Sequence, residues 1–274
     1  MGLPRSGSTV LMNILNENPK YFCTGTDPIP SLIQTFRNTM EYIPELVAMD
    51  MNSMAKAFEE LIKHGTDGWY ESMTDKPEVF SKSRVWIKHL PAIFKIFKNP
   101  KIIICLRDPR DIIVSYDKII RKYPHLPSVS GNINFRPEWL NFETRIDAFC
   151  FAEHGHLGEP LRLMPSLHEY VVKYPDNFYI FKYESFCKEP HKTLADIYDW
   201  LGDDHYEHDL DNIKPLDYTE HDNAYMSWVT HNVEPSFAPV ESEWKSYFTE
   251  EQSNKVLHNL NWFYKTYYPE CLNN

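Results

Sequence analysis

Gly2-Leu3-Pro4-Arg5-Ser6-Gly7-Ser8-Thr9 gathers glycine, arginine and hydroxyl side chains in one short stretch. The chemistry open to such a stretch is anion binding. A glycine-containing turn that opens a helix aims backbone N–H groups at one point, and the helix dipole adds partial positive charge there. Gly7 lets the backbone approach an anion closely. Ser8 and Thr9 add hydroxyl donors, and Arg5 adds a charged fork. A nucleoside-triphosphate loop would read G-x-x-x-x-G-K-[ST]. Gly2 and Gly7 keep that spacing, but Ser8 stands where the lysine belongs. The plain alternative is an ordinary capped helix start.

Other segments add candidate groups. Arg107 follows the apolar run Lys101–Leu106, and Ser115 stands on the helix after it. An arginine at the C-terminal edge of a strand, where α/β sheets bind ligands, converges with a serine about two turns up the next helix. Lys88 and His89 are neighbours in Arg84–Pro91. Histidine titrates near neutrality and suits a general base, but adjacent residues of a strand face opposite ways. Asp27 precedes Pro28 and offers a carboxylate base, or simply a turn and helix-cap signal. Glu153-His154-Gly155-His156 and Asp203–His208 mix histidine with acids, but their spacing matches no strong zinc pattern, so they read as polar loops.

Together these segments resemble the sulfotransferases that use 3′-phosphoadenosine 5′-phosphosulfate (PAPS). Pro4–Thr9 is similar to the 5′-phosphosulfate loop of that family, in the arginine form of the Golgi-type carbohydrate and protein-tyrosine enzymes. The resemblance implies that Arg5 and the N–H groups of Ser6, Gly7, Ser8 and Thr9 hold the phosphosulfate. It implies that Arg107 and Ser115 hold the 3′-phosphate. Phe181–Phe186, followed by Pro190 and a helix ending Asp199-Trp200-Leu201-Gly202, resembles the segment whose tyrosine lies against the adenine, which makes Tyr183 the stacking residue. Lys245 matches a basic residue that closes over the 3′-phosphate. Arg84–Pro91 is similar to the Lys-Thr-His-Leu-Pro segment of cytosolic members, with Lys88 at the sulfuryl group and His89 as base, although the two are one place out of register. Asp27-Pro28 falls one residue after the Glu-Pro of Golgi-type members. The base is therefore His89 or Asp27.

The resemblance implies in-line transfer of a sulfuryl group to a hydroxyl, or an amine, of a small-molecule, glycan or peptide acceptor. Adenosine 3′,5′-bisphosphate (PAP) leaves, and no metal is required. Two alternatives stay open: a nucleotide-dependent phosphotransferase (a kinase) needing ATP and magnesium, and a nucleotide-binding protein without catalysis.

The elements that must position these groups follow from periodicity. The sequence predicts a helix from about Ser6 to Asn18, helical residues at 29–65, and a loop-rich 66–82. A strand at Arg84–Lys88 comes next, then a better one at Lys101–Leu106, whose β-branched run suits burial on both faces. A helix starts at Pro109, a loop fills 123–136, and 137–174 reads as helical. Asn177–Phe181 is a strand and Lys192–Leu201 a helix stopped by Gly202. Residues 203–243 are irregular, and a last helix runs from about Thr249 to Tyr264. Alternating strands and helices predict a P-loop-like three-layer α/β fold, a central parallel sheet flanked by helices. One domain is expected over 1–274, with 29–82 and 122–175 as acceptor-side insertions. Only Met1–Pro4 precede Arg5, so the first strand is expected to be a stub or to continue upstream.

Composition narrows the setting. The 274 residues are 42% hydrophobic and 15% aromatic, enough for one sizeable core, and the net charge is −11. That acidity argues against a nucleic-acid partner. Cys23, Cys105, Cys150, Cys187 and Cys271 are widely spaced without a C-x-x-C pair, which fits a reducing cytoplasm. No signal peptide or spanning segment is read.

Overall fold

The computed structural model describes residues 1–122, 141–152, 155–216, 235–238 and 240–272. The loop expected at 123–136, residues 217–234 of the irregular stretch, and Glu153 and His154 lie outside the described residues. The chain forms the expected mixed α/β fold of P-loop type, with parallel strands under helices.

Strand β3 (Ile102–Leu106) is the axis of the site. Its Ile-Ile-Ile-Cys-Leu sequence has little but apolar surface, and it pairs in parallel with β4 (Phe178–Lys182), Ile102 opposite Phe178 and Leu106 opposite Lys182. Its other edge takes Met1–Leu3. The Cys105 amide donates to the Met1 carbonyl at 2.8 Å, and the Leu3 amide donates to the Cys105 carbonyl at 2.9 Å. The approach is so close that a Cβ on Gly2 would sit 2.1 Å from the Cys105 carbonyl oxygen, and Gly2 has φ 135°. Only glycine fits there.

Strands β1 (Tyr21–Cys23) and β2 (Glu78–Phe80) make a second parallel pair. Neither was read in the sequence. Residues 66–82 were expected as loop, but the helix Met51–Met73 runs well into that stretch and β2 follows it. The expected strand at Arg84–Lys88 is instead a 3-10 turn, Val85–His89, leading into the helix Leu90–Ile96. Leu90-Pro91 supplies the reason: proline at the start of a helix is favoured there, and the chain before it winds into that turn. A cavity of about 910 Å³ lies between β2 and β3, lined among others by Leu11, Val79, Phe80 and Ile103.

Helix α1 (Ser8–Leu15) buries Leu11, Met12, Ile14 and Leu15 against Phe181, Phe186, Ile197 and Tyr198. The helix Pro109–Lys122 buries Ile112, Ile113 and Val114 on the other side, against Phe149, Val256 and Tyr264. The loop between Leu3 and Ser8 is therefore anchored at both ends by packing. The start of the second helix is clamped as well. Arg110 pairs with Asp108 at 2.6 Å and stacks 3.7 Å over Trp244. Asp111 accepts from the Ser242 hydroxyl at 2.7 Å and from the Glu243 and Trp244 amides at 3.0 and 3.1 Å. Among the described residues, no helix is long and apolar enough to cross a membrane.

Candidate functional site

Arg5 is the one described non-glycine residue with left-handed backbone, at φ 54°. That conformation costs roughly 1–3 kcal/mol and persists where its surroundings impose it. Here it turns the chain from the edge of β3 into α1. Ser6 is buried and spends its hydroxyl on the Leu3 carbonyl at 2.5 Å. Gly7, at φ 81°, is the N-cap of α1, with no side-chain cap and no acidic residue in the first turn. The N–H groups that open α1 thus have no partner within the helix and suit an anion.

Two more elements converge there. Arg107, at the end of β3, donates to the Arg5 carbonyl at 3.1 Å. Ser115 accepts from Arg5 Nε at 3.1 Å. Tyr183 opens the helix Tyr183–Lys188 directly after β4, and its ring lies under the Arg107 guanidinium at 4.8 Å. The same ring packs on Gly7, where a Cβ would stand 2.3 Å from Tyr183 Cδ2. The structure therefore brings together Arg5, the loop amides, Arg107, Ser115 and Tyr183, from four separate elements. Arg5 keeps exposed surface, but the protein crowds around its guanidinium. Loss of solvation first, and the Arg107 charge after it, hold its guanidinium below the ordinary arginine range. Two cations side by side, without a carboxylate paired to either among the described residues, fit a bound polyanion.

Lys82 is the residue that sequence reasoning missed. It sits two places after β2, and its ammonium donates to the Thr9 hydroxyl at 2.7 Å. Its amide donates to the Thr24 hydroxyl at 2.8 Å, which ties the end of β2 to the end of β1. A lysine thus reaches the loop from another strand, although Ser8 fills the loop's own lysine position. The available signal was Ser81-Lys82-Ser83 directly after the short apolar Val79-Phe80.

The two expected bases are placed differently. Asp27 is buried beside Lys82's strand. It accepts from the Tyr70 and Ser81 hydroxyls and, at 2.9 Å, from the Ile29 amide. Ser81 in turn accepts from Trp86 Nε1 at 2.6 Å. Lys88 is turned outward and paired with Glu159 at 2.7 Å, so it does not join the loop. His89 is only 3% exposed, bonds the Pro30 carbonyl, and leaves Nε2 without a partner among the described residues. Lys245 is exposed and lies 5.7 Å over the Trp244 ring. Among the described residues, no group of three metal-ligating side chains could hold a metal ion.

Burial holds the His89 pKa below its usual value. The sign follows directly: the unfolded imidazole, near 6.5, binds protons more readily than the folded one. Stability is then full above about pH 6.5 and is lost as pH falls toward the folded pKa. Thermal melts from pH 7.5 down to 5 should fall, and His89→Leu should flatten part of that slope. An unchanged slope would remove His89 as a contributor.

A family model described as the sulfotransferase family matches residues 1–207. Two solved structures share the fold over 95% of this chain at 15% identity. One is the sulfotransferase domain from the curacin biosynthetic pathway, with TM-score 0.59 over 95% of that chain. The other is the sulfotransferase domain from the Synechococcus PCC 7002 olefin synthase, with TM-score 0.55 over 92% of that chain. No curated protein matches in sequence.

Proposed function

The chain belongs to the sulfotransferase family, and from that premise we propose that it moves a sulfuryl group from PAPS to an acceptor hydroxyl. The observation that carries the reading is the convergence of Arg5, Arg107, Ser115 and Tyr183 on the start of α1. PAPS supplies an activated sulfuryl group on the oxygen that bridges it to the 5′-phosphate. The amides of Ser6–Thr9 and Arg5 hold that phosphosulfate. Arg107 and Ser115 hold the 3′-phosphate, and Tyr183 offers a ring to the adenine. Lys245 is assigned to the same 3′-phosphate by resemblance alone.

The acceptor oxygen attacks sulfur as the bond to the bridging oxygen breaks, and PAP leaves with that bonding pair. Such chemistry needs positioning and charge stabilisation more than covalent help. Lys82 takes the role expected of Lys88, placing an ammonium at Thr9 to neutralise the departing oxygen. Asp27 takes the acceptor proton in preference to His89, because its Ser81 partner adjoins Lys82. Acceptor selection is assigned to 29–82 and 122–175.

Calorimetry with PAP and with ATP tests the donor. Tight PAP binding without magnesium supports the reading, and ATP binding that requires magnesium, with no response to PAP, overturns it. Arg107→Ala should weaken PAP by about ten- to a hundredfold, the loss of one charge-assisted contact of roughly 1.5–3 kcal/mol. Unchanged affinity would take Arg107 out of the site.

A further inference from the structure

Arg84 has no part in the donor site just described, yet it lies beside it. It follows Lys82 by two residues and heads the Val85–His89 turn. Its guanidinium reaches the hydroxyl of Tyr116, whose other near cation is Arg5. Tyr116 is buried next to Ser115, the residue bonded to Arg5. Arg84 thus links the segment after β2 to the helix that carries Ser115.

The surroundings leave its charge available. Arg84 is exposed, and no carboxylate lies within ion-pair distance of it among the described residues. Glu159 lies close enough to interact with its charge, but that carboxylate is held by Lys88 at 2.7 Å. His156 flanks the same spot, its ring 5.8 Å from Tyr116 and 6.0 Å from Phe149. The Tyr116 and Phe149 rings stack at 5.0 Å within the core and hold the Tyr116 hydroxyl in place beneath Arg84. An exposed guanidinium braced on a buried phenol, with a half-buried imidazole beside it, suits a carboxylate arriving from solvent. A bound donor would occupy Arg5 and Lys82 and leave Arg84 unmatched.

We propose that Arg84, with His156 beside it, binds a carboxylate on the acceptor, so that the acceptor is a hydroxy acid rather than a neutral alcohol. The inference rests on the sulfotransferase reading of the loop. A guanidinium suits this task because its fork meets a carboxylate with two parallel hydrogen bonds.

The test is a panel of hydroxyl compounds in matched pairs, each with and without a carboxylate. Transfer from labelled PAPS gives kcat/KM, and calorimetry on PAP-loaded protein gives affinity. The carboxylate member should win in wild type. Arg84→Gln should shrink that advantage by about ten- to a hundredfold, the scale of a charged hydrogen-bonded contact. Arg84→Lys, which keeps the charge and the fold but not the fork, should fall between. A panel without carboxylate preference in either readout overturns the proposal. So does an Arg84→Gln variant that slows both members equally, which would make Arg84 part of the transfer step. PAP titrated into wild type separates the two readings. Loss of PAP binding sinks the donor assignment, whereas tight PAP binding with a flat panel sinks only the hydroxy acid.

Discussion

Lys82→Met should slow sulfuryl transfer by about 10²–10³-fold while leaving PAP affinity nearly intact, which is the effect of removing one preorganised donor aimed at developing charge. The split follows from where Lys82 stands. Its ammonium bonds the Thr9 hydroxyl at the end of the loop, whereas the Arg107–Tyr183 pair that would hold the nucleotide packs on Gly7 and Arg5. A donor there meets little charge in the ground state and more as the bridging oxygen takes up the bonding pair. Methionine preserves the length and the apolar stem, so β2 keeps its packing. Single-turnover release of PAP from labelled PAPS reads the rate, and calorimetry reads the affinity. A rate within a few-fold of wild type would exclude Lys82, and Lys88→Met would then be the next variant to measure. Paired to Glu159 on the outer face, Lys88 is expected to leave the rate unchanged.

Gly7→Ala should cost about 2–5 kcal/mol of stability and abolish measurable PAP binding, for two separate physical reasons. At φ 81° an alanine is strained whatever room it has. There is also no room, because the new Cβ falls 2.3 Å from Tyr183 Cδ2. The ring must leave its place under Arg107, so the stacking face and the arginine are displaced together. Denaturant unfolding gives the stability change. Tyr183→Ala combined with Gly7→Ala tests the mechanism, since removing the ring should recover the steric share of the loss and leave the backbone share. If the double variant is no more stable than Gly7→Ala, the clash is not the cause.

The glycine-led turn into α1 was legible because its information is local. Gly7, Ser8 and Thr9 at a helix start dictate where the amides point, whatever else the chain does. Arg107 and Ser115 were legible for a related reason. A β-branched run and a Pro-led helix fix one strand edge and one helix face, and both residues fall on them. Gly202 ended its helix in the left-handed conformation its position called for. The irregular character read into 203–216 also holds among the described residues.

Tertiary structure decided the rest, and the decisions lie where short elements depend on distant partners. Strands β1 and β2 have three residues each and exist only because they pair with one another. Three residues carry too little periodicity to stand out. Their pairing nonetheless brings Lys82 to Thr9 and sets Asp27 against Ser81. Lys88-His89 carried the stronger local likeness, but the turn before Leu90-Pro91 sends Lys88 outward to Glu159 and His89 inward against Pro30. The sequence by itself determined that a glycine-led turn opens α1 and that Arg107 and Ser115 fall on the strand edge and helix face beside it. Which lysine reaches that turn was settled only by the packing of β2 beside β1. Spacing along a chain encodes the direction of nearby amides and side chains, whereas a contact across the fold exists only once the elements between have folded.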